Sequence, residues 1–316
     1  MKQPGLSAET AEPPERTRLA RRVAEIYPEL SFTRAKRAVE GGQVSVDGAR
    51  AGDAGAWVSV EQRVVWDRNL PVERIVQGPA VELVHADADV AVAVKPAGLL
   101  TQPTTDREKD TLLTRVSSAL ARRKSAGASR PFLSIVHRLD KETSGLVAFA
   151  TSRRGLESLQ AQLEDHSMER TYEALVEGDL ERDSGTLDRA LVGDGTHRRR
   201  WVARHSERGK PAVTHWEVVH RYGVATHVRV RLETGRTHQI RIHFAAVDHP
   251  VVGERVYRPI RMTESEVKAP RQMLHAGGLA FTHPATGRRL HLTTPPPADF
   301  VTLLASLRRG RKGGRR

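Results

Sequence analysis

Between residues 17 and 66 the apolar positions recur first at helical and then at alternating intervals. Leu19, Val23, Ile26 and Tyr27 lie on one face of a helix that Pro28 ends. Ser31 or Thr33 can cap a second helix through Ala35, Ala38 and Val39, and Gly41-Gly42 stops it. Gln43 to Gly48 alternates into a turn and reads as a short strand, with further strands around Trp57 to Val60 and Arg63 to Trp66. The pattern predicts a compact α+β unit over residues 16–67. Residues 1–15, rich in Pro, Glu and Ala without periodicity, read as a disordered leader, and residues 68–80, with Pro71, Gly78 and Pro79, as a linker.

A larger unit is expected over residues 81–307. Strands are predicted at Val81–His85, Val90–Lys95, Leu146–Ala150, Thr171–Val176, Ala212–Arg221, Ala225–Glu233, Met273–Thr282 and Arg289–Leu292. Helices are predicted at Leu112–Leu120, at a segment capped by Ser152 with Leu156, Leu159 and Leu163, at Thr237–Phe244 and at Asp299–Leu307. Strands in uneven groups with helices inserted point to α+β with a mixed sheet rather than repeated βαβ units. Arg122 to Arg130 reads as a mobile loop, and residues 308–316 as a flexible basic tail.

Composition narrows the partners. Lys+Arg 51 against Asp+Glu 38 gives a formal charge of +13, so a polyanion is the expected partner. Aromatic residues make up only 4%, and no apolar run approaches the ~20 residues of a membrane span, so no membrane partner is expected. The first residues carry no apolar core of a signal peptide. With no cysteine, disulfides, thiolate zinc sites, iron–sulfur clusters and a cysteine nucleophile are excluded; a reducing, cytoplasmic location is expected.

No phosphate-cradling glycine loop, dinucleotide fingerprint, nucleophile elbow or H-E-x-x-H occurs, and His238 and His243 are five apart without an acid between them, so no metal site is expected. The segment from Val136 to Leu146 differs in kind. Charges and turn-formers stand directly before a buried strand, which puts Asp140 on a loop at the strand's lip beside a cleft.

His137-Arg138-Leu139-Asp140-x-x-Thr143-Ser144-Gly145 resembles the signature of the RluA-type RNA pseudouridine synthases. Further resemblances follow in family order: Val94 to Leu99, Arg170 to Ala174 (with Arg170 where lysine is commoner), Gly209 to Thr214, Leu232 to Arg241, Arg271 to Ala276 and Phe281 to Pro284. The resemblance implies the pseudouridine synthase fold, a mixed, largely antiparallel central sheet with flanking helices. It implies isomerisation of uridine in RNA without cofactor or metal, on a base flipped out of its stack. It assigns Asp140 as the catalytic carboxylate, Arg138 to the vacated space, Tyr172 to packing on the uracil, and Arg241 as the partner of Asp140. His137, Thr143, Arg236, His238 and Gln239 are carried over as substrate-binding residues. An arginine beside a secluded aspartate keeps it ionised, and a planar guanidinium can both stack and bind phosphate. Attack on the sugar, attack on the base and removal of a ribose proton are all open to Asp140.

The first unit resembles the small RNA-binding domain named after ribosomal protein S-four. Arg18-Leu19, Thr33-Arg34-Ala35-Lys36 and Gly42 to Gly48 match, with Thr33 in place of serine and Asp47 in place of asparagine. Arg18, Arg34, Lys36 and Arg37 are its candidate RNA contacts. This arrangement implies ribosomal RNA of the large subunit as the target, with transfer RNA as the alternative; a monomer is expected. An inactive RNA-binding or ribosome-assembly factor is opposed by the intact Asp140, Tyr172 and Arg241, and a DNA-binding protein by the lack of a recognition helix or zinc finger.

Overall fold

The computed structural model describes residues 16–70, 80–104, 108, 110–123, 132–193, 200–204, 207–262 and 264–313, with side chains to Arg309. The expected leader, most of the linker and the loop at 124–131 lie outside the described residues. The chain divides into two compact units, Met1–Pro79 and Ala80–Arg316.

In the first unit β1 (Arg16–Arg18) leads into α1 (Leu19–Ile26) and α2 (Phe32–Glu40). β2 (Val44–Val46), β3 (Ala49–Ala51), β4 (Trp57–Ser59) and β5 (Val64–Trp66) follow. Ser31 caps α2, its hydroxyl accepting the Arg34 N–H. β1 pairs with β4, and β3, β2 and β5 form a second small sheet. The periodic residues Leu19, Val23, Ala35, Val39, Val44 and Val64 meet in one core. Arg34, Lys36 and Arg37 are exposed on α2, while Arg18 lies over the Trp57 ring at 4.0 Å and donates to the Gly55 carbonyl.

The second unit opens with β6 (Leu83–Ala86), β7 (Val90–Lys95), α3 (Leu112–Arg123), β8 (Ser134–Ile135), β9 (Ser144–Ala150) and α4 (Arg153–Glu164). β10 (Glu169–Glu177), β11 (Ser184–Asp188), β12 (Leu191–Gly193), β13 (Arg200–Val202), β14 (Val213–Arg221) and β15 (Ala225–Leu232) continue it. α5 (Gln239–Ala245), β16 (Leu274–Thr282), β17 (Arg289–Thr293) and α6 (Ala298–Gly313) complete it. The main sheet runs β11-β14-β15-β10-β16-β9-β7-β6, with β17 on β16 and β8 on β9. Every pairing in it is antiparallel except β9 with β16, so the sheet is mixed and largely antiparallel.

β7 and β9 are covered on both faces, which explains their unbroken apolar sequence. Val90, Val92, Leu146 and Ala148 face one core with Leu159 of α4, and Ala91, Ala93, Val147 and Phe149 face another with Phe244 of α5 and Val116 of α3. Each such buried large side chain contributes about 1.5–3 kcal/mol. At the parallel joint Gly145 has φ 121°, and a Cβ there would overlap the Ala276 carbonyl, so only glycine lets β9 and β16 meet.

The carboxyl-terminal segment differs from the expected flexible tail: α6 carries the backbone through Gly313. Leu303, Leu304 and Leu307 pack beside Phe300 and Met273. Arginine and lysine propagate a helix well and suit its negative end, so the anchored helix continues past its apolar stripe.

Candidate active site

Asp140 lies in the irregular loop between β8 and β9, and residues from distant parts of the sequence hold that loop. Thr101 clamps Leu139 from both sides, its hydroxyl donating to the Leu139 carbonyl at 2.9 Å and accepting its N–H at 3.2 Å. Lys95, wholly buried, donates to the carbonyls of Pro96, Leu99 and Lys141 at 2.7–2.9 Å. Three acceptors match the three N–H bonds of an ammonium, while burial pushes the group down to about 7 against the pull of Asp140 and Glu142. Arg271 reaches the Glu142 carbonyl at 3.1 Å, and the Gln272 amide donates to the Thr143 hydroxyl. The aspartate is therefore presented by a rigid turn, not by a free loop.

Arg241, on α5, donates from Nη1 to Asp140 Oδ2 at 3.1 Å. Its other two hydrogen bonds go to Glu254, Nε to Oε2 at 2.7 Å and Nη2 to Oε1 at 2.9 Å. Glu254 also accepts the N–H groups of Arg255, Val256 and Tyr257, and its side chain is fully buried. Burial alone would raise the Glu254 carboxyl, yet these N–H groups and the guanidinium hold it below the usual range; burial works against the Arg241 charge too, yet the two acids raise it. Gly253, just before Glu254, has φ 83°, and a Cβ there would overlap the Arg271 carbonyl, so only glycine lets the chain pass this close.

His238 caps α5 in the left-handed region, φ 60°, a conformation unusual for a side chain this size. Its Nδ1 meets the Tyr257 hydroxyl at 2.6 Å and its Nε2 lies 3.7 Å from Asp140 Oδ1. That last separation is too long for a hydrogen bond, so the ring leaves Oδ1 unengaged. Burial lowers the His238 pKa, with Asp140 opposing. The Tyr257 ring lies under the Arg241 guanidinium at 5.1 Å.

A cavity of about 640 Å³ opens beside Asp140. Asp140, Tyr172, Arg241, Arg138, His137, Thr143, Arg236, His238 and Gln239 all line it, so one cavity gathers residues from 137 to 241 of the chain. Tyr172 is 6% exposed on β10, and burial raises its hydroxyl pKa. Arg138 and Arg236 stand exposed at the rim, bonded to the Thr237 hydroxyl and the Pro211 carbonyl. His137 accepts the Ala148 N–H on Nε2, and burial and then Arg170 push it down to about 3, so it is a neutral wall group. The Gln239 amide is fully used within the protein, accepting from Thr234 and Arg236 and donating to Val213 and Thr214, so it shapes the wall and offers no free polar atom. Thr143 is 2% exposed, and its hydroxyl accepts the Gln272 amide.

Sequence reasoning does not single out Glu254 or Tyr257. Their signal is slight: one acid after Val251-Val252-Gly253 in a stretch without regular periodicity. A second group, His85, Asp87 and His283, has metal-ligand chemistry. Its hydrogen bonds make it a clamp instead: His283 Nδ1 accepts the Ala285 and Thr286 N–H groups, which puts its proton on Nε2, facing Asp87 at 2.8 Å.

The sheet, the clamped aspartate and its arginine define a class. Residues 89–246 match the family model described as RNA pseudouridylate synthase, and the chain belongs to that family. It is 37% identical to the Ribosomal large subunit pseudouridine synthase D of Pseudomonas aeruginosa, over 93% of this chain and 93% of that protein. It is 33% identical to an uncharacterized RNA pseudouridine synthase of Mycobacterium tuberculosis, over 88% of this chain and 91% of the relative. The solved structure of Human RNA Pseudouridylate Synthase Domain Containing 4 shares the fold, with a TM-score of 0.58 and 23% identity over 72% of this chain and 92% of that one. The protein is thus an RNA pseudouridine synthase, an isomerase. Among the described residues no helix is long and apolar enough to cross a membrane.

Proposed function

We propose that the chain isomerises specific uridines of large-subunit ribosomal RNA, with Asp140 as the essential carboxylate, acting as a monomer in the cytoplasm. The observation that carries this reading is the Asp140 carboxylate held at 3.1 Å by Arg241 on the wall of the cavity that Tyr172 also lines. The choice of ribosomal RNA is supported by the likeness to the Pseudomonas aeruginosa protein along nearly its whole length, and by the net charge of +13.

In the reaction the bond from uracil N1 to ribose C1′ breaks, the ring turns, C5 joins C1′, and the C5 proton leaves as N1 gains one. The target base leaves its stack at a cost of a few kcal/mol. Arg138, exposed at the rim, takes the vacated space, and Tyr172 packs on the extruded ring. Arg241 holds Asp140 in place through the hydrogen bond from Nη1 to Oδ2. The first unit acts as a small RNA-docking domain of the S-four kind, whose exposed Arg34, Lys36 and Arg37, with Arg18, reach phosphates and orient the substrate.

Pseudouridine mapping across total RNA from cells with and without the gene tests the reading. Loss of a small set of sites in large-subunit ribosomal RNA is expected. Loss confined to transfer RNA would move the substrate, and an unchanged map would overturn the proposal.

A further inference from the structure

Arg170 is a cation that the fold buries without an anion. It stands on β10 two residues before Tyr172, so the alternation of the strand turns both toward the same cavity wall. Only 7% of it is exposed. Among the described residues no carboxylate is within ion-pair reach of its guanidinium. Nη2 donates to the Glu233 carbonyl at 3.1 Å, and the buried Nε has no acceptor. An unpaired buried charge is costly, and arginine cannot escape the cost by losing its proton. An apolar side chain would fill this wall at lower cost, so the position makes sense when negative charge arrives with the ligand.

We propose that Arg170 is the counter-cation for the negative charge that develops on the uracil ring during isomerisation, a role that rests on reading the cavity as the uridine site. All three routes open to Asp140 place that charge on the ring. Attack on C1′ forms an oxygen–C1′ bond and breaks N1–C1′, whose electron pair stays on N1. Removal of the C2′ proton forms a C1′–C2′ double bond and expels the ring with the same pair; the proton returns when C1′ is rejoined. Attack on C6 forms an oxygen–C6 bond and pushes the C5–C6 pair onto the O4 carbonyl. In the C6 route N1–C1′ breaks next; joining C5 to C1′ then discharges the ring, displacing the Asp140 oxygen from C1′ in the first route and followed in the C6 route by its loss from C6 as the C5–C6 double bond re-forms, while the C5 proton leaves and N1 takes one up. A fixed guanidinium in a water-poor wall stabilises such charge without reorganising.

The test uses the full chain with Arg170→Met and Arg170→Lys. Four quantities are read: single-turnover isomerisation, RNA affinity, thermal midpoint, and competition by barbiturate, a pyrimidine already anionic at neutral pH, against neutral uracil. Arg170→Met should lower the rate about 10²–10³-fold with RNA affinity unchanged. Arg170→Lys should recover part of that loss. Wild type should prefer barbiturate to uracil, and Arg170→Met should not. A wild-type rate in Arg170→Met, or a barbiturate preference that survives it beside a lowered thermal midpoint in both variants, would overturn the role of Arg170 alone. A wild-type protein that forms no pseudouridine would overturn the reading of the cavity, and this proposal with it.

Discussion

Replacing Glu254 with glutamine should be among the most damaging conservative changes in this chain. The Glu254 side chain is fully buried and accepts five N–H groups: Nε and Nη2 of Arg241, and the backbone of Arg255, Val256 and Tyr257. A glutamine keeps the shape, but its amide nitrogen must turn toward donors, and the negative charge is gone. With the amide oxygen in the place of Oε1, which accepts four of these groups, Arg241 keeps its Nη2 bond and the bond to Asp140 but loses the Nε bond and its buried counter-charge. Removing one partner of a buried ion pair costs roughly 3–5 kcal/mol. At roughly 2–4 °C per kcal/mol for a unit this large, the thermal midpoint should fall by roughly 6–20 °C. Below that midpoint the rate should also fall, because Arg241 no longer holds Asp140 in one orientation, while RNA affinity should stay near wild type. Thermal unfolding followed by circular dichroism, with single-turnover kinetics well below the transition, reads both effects. A Glu254→Gln protein with an unchanged midpoint would refute the account of Glu254 as the buried anchor of Arg241.

Two further outcomes test other parts of the account. Burial would raise Asp87, but the N–H groups of Asp89 and Val90 and the rings of His283 and His85 outweigh it and bring it down to about 2 from 3.8. A lowered carboxyl gives stability that is present above its unfolded value and lost as pH falls through its folded one. The urea-midpoint gap between wild type and Asp87→Asn should therefore be full above about pH 4 and close toward pH 2, and a gap independent of pH would contradict the clamp. Arg34, Lys36 and Arg37 changed together to glutamine should weaken RNA binding and reduce the slope of log affinity against log salt by about 0.7–0.9 for each phosphate that is no longer neutralised. An unchanged slope would remove the first unit from RNA docking.

Sequence is most informative where one local rule fixes an element without help from the rest of the chain. Ser31 and Ser152 cap α2 and α4, and the apolar runs of β7 and β9 mark the centre of the sheet. Short edge pieces such as β3, β12 and β13 carry no comparable pattern, since three residues show no period and their pairing is set by distant partners. The same division holds at the site. Asp140, Tyr172 and Arg241 stand out within motif strings, but sequence spacing does not show which hydrogen bonds are already spent. Gln239 is satisfied inside the protein, while Glu254 and Tyr257, in an aperiodic stretch, support Arg241 and His238. The helical tail is not legible from its composition, because a helix anchored by Phe300 and Leu307 carries its charged continuation along.

The role assigned to Asp140, conversion of uridine to its carbon-linked isomer in RNA, has a direct assay. Joining C5 to C1′ expels the hydrogen on C5, so RNA labelled with tritium at uracil C5 releases label to water only when the reaction completes. The purified wild-type chain should release label and Asp140→Asn none, while binding the same RNA with comparable affinity. Release by Asp140→Asn at a rate close to wild type would contradict that role.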